Sequence, residues 1–345
     1  MACGRVGHPP TYPVVMSRSH FTLAALATSA VAGLDVVGAQ AFGSLGHGDF
    51  DAALLTARDG GHWIVRVPRS EKAEAEQSAD LVALRALSTG VRTRLPFAVS
   101  SFAGQVPIAG TRAVVYEFVY GSKISLADIT PELAASIGTA IAAVHALPTS
   151  FIVDAGLASH NAIDGHRAAI GLVERACATG LVPIALQQRW EHAGAESALW
   201  QYTSTVINGS MGSDSVLAAS DQVTGILGWH GLRVGDPALD LQWLLGATQP
   251  GATDAAFDAY GAARGQIDRQ LRQRATLLAE LEVARWLLHG TEVRSTSIVD
   301  DAVELLSALT DDAQTTLGST VSNDTISLST DELEALLDRS ERAAG

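Results

Sequence analysis

The sequence predicts an α+β protein that is bilobed, with an N-terminal lobe built from an antiparallel sheet and one helix and a C-terminal lobe that is mainly helical. Three observations predict it. Between Val36 and Val119 the apolar residues fall into short β-type runs, and Asp59-Gly60-Gly61 stands between two of them as a hairpin turn. Beyond Gly121 the apolar spacing becomes helical. At 345 residues and 47% hydrophobic composition, the chain suits two domains or one large bilobed unit with a sizeable core.

Residues 1–16 are expected to be disordered, and Met16 is an alternative start to Met1. The N-terminal lobe is assigned to 17–120. Phe21, Leu23, Leu26 and Val31 predict a short helix from His20 to Ala32. Although Phe21 to Val37 is apolar, Asp35 interrupts it and it is too short to span a bilayer. Strands are predicted at Val36–Phe42, Ala52–Ala57 and His62–Pro68. Gly43, Gly46 and Gly48 lie between the first two, either as a flexible hairpin loop or as a loop whose amides approach a phosphate. On the third strand Ile64 and Arg66 share one face, and Trp63, Val65 and Val67 share the other.

A helix follows from Ser70 to Leu87, with Leu81, Leu84 and Leu87 as its apolar stripe and Glu76 and Asp80 at i, i+4. After the Leu95-Pro96 break, strands are expected at Val106–Ile108 and Ala113–Val119, and the lobe boundary falls near Gly121. The helical lobe is assigned to 121–310. Leu133, Ile137, Ile141 and Val144 form one stripe of a helix from Pro131 to His145, with His145 packed at its end. Further helices are predicted at Asp164–Thr179, Pro183–Ala195, Asp254–Leu288 and around Val303–Leu309. Residues 311–345 read as an acidic, low-complexity and mostly disordered tail, with a small helical pattern at Thr330–Leu337 and a capacity to engage a partner protein.

The formal net charge of −14 opposes a nucleic-acid partner, because such proteins display a concentrated basic surface. No membrane partner is expected. Cys3 and Cys177 are the only cysteines, too few for a disulfide framework or a thiolate metal site, so a reducing cytoplasm is the expected compartment.

The stretch from Val206 to Leu241 carries the strongest functional signal: a hydrophobic entry, a polar turn at Asn208-Gly209-Ser210, two short β-type runs, and Gly235-Asp236-Pro237-Ala238-Leu239-Asp240-Leu241. It resembles the catalytic segment of aminoglycoside and macrolide phosphotransferases, which have a protein-kinase-like fold. Their pattern runs H-G-D-x-x-x-x-N, then D-W after a hairpin, then G-D-P-x-x-D-L. Here Ser210 stands at the base Asp, Ser215 at the Asn and Gly228 before Trp229 at the metal Asp, whereas the last motif is intact.

The resemblance covers roughly Leu34 to Gly290 and implies Arg66 as a clamp on nucleotide phosphates, with Glu76 or Asp80 as its brace. It implies the backbone from Glu117 through Phe118 to Val119 as the edge that meets a purine. In intact members it implies a nucleoside triphosphate (ATP or GTP), magnesium and an antibiotic or metabolite hydroxyl. At the catalytic positions it implies nothing, since a serine hydroxyl has no basicity near neutral pH and glycine has no side chain. Two readings follow. In one, phosphotransfer is lost and the protein binds a nucleotide or a hydrophobic small molecule, or regulates, as a pseudokinase. In the other, an active phosphotransferase has rebuilt its metal site, with Asp214, the one carboxylate inside the loop, or Asp236 as ligand. The structural reading of Asp236 and Asp240 is a turn before Pro237 and a brace for the following helix.

Overall fold

The computed structural model describes residues 18–43, 48–265 and 268–323. Residues 1–16, Gly46 and the Thr330–Leu337 pattern lie outside the described residues. By its contacts the chain forms two compact units, one of residues up to Gly165 together with Ala198–Thr276, the other of His166–Ser197 with residues from Leu277 onward.

In the first unit, α1 (His20–Ala30) starts at an N-cap where Ser19 Oγ accepts from Thr22 N at 3.2 Å. It leads into β1 (Val36–Ala41), β2 (Phe50–Ala57) and β3 (His62–Pro68). Next come α2 (Glu71–Ala86), α3 (Thr89–Arg92), β4 (Ala98–Val99), β5 (Phe102–Ile108) and β6 (Thr111–Glu117). A five-stranded antiparallel sheet runs β1-β2-β3-β6-β5. Alternation along its strands sorts side chains between two faces. Ala53, Leu55, Val65, Val67, Ala113 and Val115 meet Leu23 and Ala27 of α1 in one core. Gly104 lets α1 lie this close, because a Cβ there would collide with the Ala30 carbonyl. Arg66 belongs to the opposite face, as its alternation with Val65 and Val67 requires.

Arg92 fixes the end of α2, donating to the carbonyls of Leu87 at 2.6 Å, Leu84 at 3.0 Å and Val99 at 3.1 Å. After Glu117 the chain passes through β7 (Ser122–Lys123) into α4 (Pro131–His145), capped by Thr130 with Pro131 in its first turn, and then α5 (Ser150–Asp154). The helix predicted at Asp164 is α6 (Ala162–Cys177), and the one predicted at Pro183 is α7 (Ile184–Ala195).

The functional stretch then supplies β8 (Thr205–Ile207), β9 (Val216–Ala219), β10 (Gln222–Ile226), β11 (Arg233–Gly235) and α8 (Ala238–Leu241). Strands β9 and β10 form a hairpin inside a sheet ordered β4-β10-β9-β7, while β8 and β11 pair separately. The single helical pattern expected from Asp254 to Leu288 is two helices, α9 (Ala252–Arg264) and α10 (Leu271–Glu292), because Gly265 takes φ +65° and caps the first. Helix α9 packs along α4.

In the second unit, Trp190 of α7 donates to Glu280 of α10 at 2.7 Å, and Arg189 pairs with the same carboxylate at 2.9 Å. Helix α11 (Thr296–Asn323) contacts α7. It continues past Thr310, where the sequence predicts the disordered tail to begin. Among the described residues no helix is long and apolar enough to cross a membrane.

Candidate functional site

Antiparallel pairing of β8 with β11, in the register Arg233↔Ile207, Val234↔Val206 and Gly235↔Thr205, sets the Asn208-Gly209 turn beside Gly231 and leaves Gly235, at the head of the Asp236 motif, at the other end of the ladder. Asp240 ties the two together. Its fully buried carboxylate accepts from the backbone N–H groups of Asn208 and Gly209, each at 2.7 Å. It also lies 3.2 Å from His145 Nε2, and His145 Nδ1 is 2.9 Å from the Tyr260 hydroxyl. With Nε2 donating to the carboxylate, Nδ1 is left to accept from Tyr260. Burial pushes the Tyr260 phenol well above its ordinary value, so it stays a donor. Asp240 thus reaches backwards to shape the loop, in addition to the bracing place read from its motif.

Asp236 closes its own turn by accepting from Ala238 N at 2.9 Å, and accepts from Arg274 Nε at 2.7 Å. Arg274 is fully buried and also donates to Asp268 at 2.7 Å and to the Leu199 carbonyl at 3.1 Å, with the Tyr202 ring 4.3 Å from its centre. Burial works against this charge, but Asp236 and Asp268 outweigh it and hold the guanidinium protonated. Nothing in the local sequence signals Arg274, since its partners lie on distant elements.

The loop itself is closed by its own hydrogen bonds. Ser210 Oγ lies 3.1 Å from both Asn208 Oδ1 and the Gly228 carbonyl. Asn208, itself fully buried, donates from Nδ2 to the same carbonyl at 3.0 Å. Ser215 Oγ donates to the Gly212 carbonyl at 2.7 Å and accepts from Gly212 N at 2.9 Å, which makes residues 212–215 a self-contained turn. Gly228 holds φ +68° with open space where a Cβ would stand. The next residue, Trp229, has a buried indole that donates to the Ile226 carbonyl at 3.0 Å.

Helix α2 reaches this place through Asp80, whose Oδ1 accepts from Trp229 N at 2.7 Å. Burial raises the Asp80 carboxyl above its ordinary value, while the Trp229 N–H, Arg66 and His230 pull it back. Glu76 stands apart, half-buried and 3.9 Å from Lys72. The guanidinium of Arg66 lies 3.8 Å over the Phe50 ring, and no carboxylate comes within 4.0 Å of it among the described residues.

At the end of β6, Glu117 N donates to the Ser101 carbonyl at 2.9 Å and Phe118 N to the His62 carbonyl at 3.0 Å. Val119 N makes no hydrogen bond among the described residues. The Phe118 ring stands 5.0 Å from Tyr120 and 6.3 Å from Phe42.

The fit to magnesium fails on this donor set. Magnesium requires several oxygen ligands in near-octahedral geometry. Asp236 and Asp240 are fully engaged, Ser215 is tied to Gly212, and Gly228 offers no ligand. Asp214 is exposed, and among the described residues no group of three or more His, Cys, Asp or Glu is placed to hold a metal.

A family described as "Phosphotransferase enzyme family" matches residues 45–287. Among solved structures, the chain is similar to the macrolide 2'-phosphotransferase MphH from Brachybacterium faecium, at 22% identity and TM-score 0.69 over 84% of this chain and 98% of that one. It is similar to a macrolide 2'-phosphotransferase type I, at 25% identity and TM-score 0.66 over 83% and 96%. A GDP and kanamycin complex of an aminoglycoside phosphotransferase matches at 20% identity and TM-score 0.68 over 85% and 99%. Among curated proteins none matches significantly. The fold is that of these kinase-like phosphotransferases, with the antiparallel sheet in the N-terminal part and helices dominating the C-terminal part.

Proposed function

The chain belongs to the phosphotransferase enzyme family, and we propose that it has lost phosphotransfer and acts as a nucleotide- or small-molecule-binding protein with a pseudokinase site. One observation carries this reading: Ser210 and Ser215 are each satisfied by hydrogen bonds within this segment, and among the described residues nothing lies within 4 Å of where a side chain of Gly228 would begin. Phosphoryl transfer depends on a carboxylate that receives the acceptor's proton and on oxygens that position a metal across the phosphates. Absence of a positioned base alone costs on the order of 10² to 10⁴ in rate.

Binding needs less. Val119 N–H is available to a purine edge, and Arg66, unpaired by any carboxylate within 4.0 Å among the described residues, is available to phosphates. A similar aminoglycoside phosphotransferase is seen with GDP, which favours a purine nucleotide as the ligand here. Asp80 orients the Gly228-Trp229 turn through the Trp229 N–H. Calorimetry with ATP, GTP and GDP, with magnesium and with a chelator, tests this together with an assay for phosphorylated macrolide and kanamycin. The expected result is nucleotide binding that magnesium leaves unchanged, and no phosphorylated product. Magnesium-dependent product from pure protein overturns it.

A second reading, an active phosphotransferase with a rebuilt metal site, rests on the exposure of Asp214. Asp214→Ala abolishes turnover if that reading holds, and an unchanged rate removes it.

A further inference from the structure

Away from the Gly228 site, α2 and the β5–β6 hairpin enclose a surface cavity of about 410 Å³, lined by Glu74, Gln105, Pro107, Gly110, Thr111 and Arg112. Its size falls within the roughly 300–1,000 Å³ usual for small-molecule sites. Two charged side chains of its lining have no ion-pair partner among the described residues. Arg112 is half-buried, yet its one side-chain hydrogen bond goes to the neutral Ser78 hydroxyl at 2.6 Å, and no carboxylate lies within 4.0 Å among the described residues. A guanidinium with five donors in such a place ordinarily meets a carboxylate or phosphate. Glu74 lines the same cavity and forms no ion pair among the described residues, so the two opposite charges face the cavity without closing on each other.

The lip is held in a demanding conformation. Ala109 and Gly110 form the two-residue turn between β5 and β6 with φ +42° and +82°. Glycine adopts this readily, whereas alanine in the left-handed region is strained by about 1–2 kcal/mol. Strain of this kind collects where a backbone is shaped around a ligand.

We propose that this cavity binds a small zwitterion of the α-amino acid class, its carboxylate on Arg112 and its ammonium facing Glu74. Neither charge alone defines the ligand, because a simple anion leaves Glu74 unanswered and a simple amine leaves Arg112 so.

Calorimetry on the full chain with L-serine, L-leucine and L-phenylalanine, and with acetate and ethanolamine as half-ligands, tests the assignment. At least one of the three is expected to bind with a Kd below about 10 mM, and each half-ligand at least about tenfold more weakly. Arg112→Gln and Glu74→Gln are each expected to weaken amino-acid binding about tenfold or more. Arg112→Lys, which keeps the charge but removes the fork, gives an intermediate loss and keeps the test usable should the glutamine variant fold poorly by circular dichroism. The proposal is overturned by half-ligands that bind as tightly as the amino acids, by an unchanged Kd in Arg112→Gln or Glu74→Gln, or by the absence of binding.

Discussion

Within one stretch of chain, Asp240 and Ser215 sit in motifs of the same resemblance and are treated in opposite ways. Asp240 keeps the carboxylate that the pattern asks for and joins the turn after β8 to α4 and, through His145, to α9. Ser215 stands where the resemblance puts an Asn, and its side chain turns inward, bonding among the described residues to Gly212 alone. The kinase-like segment therefore has two separable layers. One consists of buried acceptors whose donors cannot reach water, so removal leaves several orphaned groups at once. The other consists of side chains that would face a ligand, whose replacement by serine or glycine leaves the backbone ladder intact.

Arg274→Met strips a fully buried cation from Asp236 and Asp268 and is expected to destabilise by about 3–5 kcal/mol in denaturant titration. A smaller loss, about 2–3 kcal/mol, is expected for Asp240→Asn, because an amide cannot accept from Asn208 N, Gly209 N and His145 together. Ser215→Ala removes both local turn bonds to Gly212 and is expected to cost about 1 kcal/mol while nucleotide affinity is unchanged. A cost equal to that of Asp240→Asn would erase the distinction between the layers.

Asp80→Asn carries the smallest effect and the opposite sign. The folded-state carboxyl is raised above its unfolded value, so its ionised form lowers stability at neutral pH. That loss sets in as pH rises past the ordinary carboxylate range. The amide still accepts from Trp229 N, and it is expected to stabilise by under about 1 kcal/mol at pH 7 and to flatten this pH dependence, read from midpoints measured at pH 4 and 7.

Much of the scaffold was legible because its signals are local. Alternation on β3 already separated Arg66 from Val65 and Val67, and Asp59-Gly60-Gly61 marked the β2–β3 turn. The gaps at Ser210, Ser215 and Gly228 were legible because the neighbouring Gly235-to-Leu241 pattern fixed their places. Glu76 and Asp80 could not be separated, since they share one helix face and the group that distinguishes them, Trp229 N, is 149 residues from Asp80. Arg274 was illegible for the same physical reason: a buried cation in a polar-looking helical run is identified only by partners that folding brings to it. The break at Gly265 was missed because the apolar period resumes in phase with helical spacing after it.

On the proposed loss of phosphotransfer, Gly228 gives the change a direction in time. Its left-handed backbone with open space around the absent Cβ is a conformation that glycine prefers and that asparagine and aspartate tolerate better than other residues. The frame has therefore not closed over the place where a metal carboxylate stands in the family. Of the three replaced positions, this is the one where reversion would meet the least resistance from the fold, whereas at Ser215 an existing turn would have to open first.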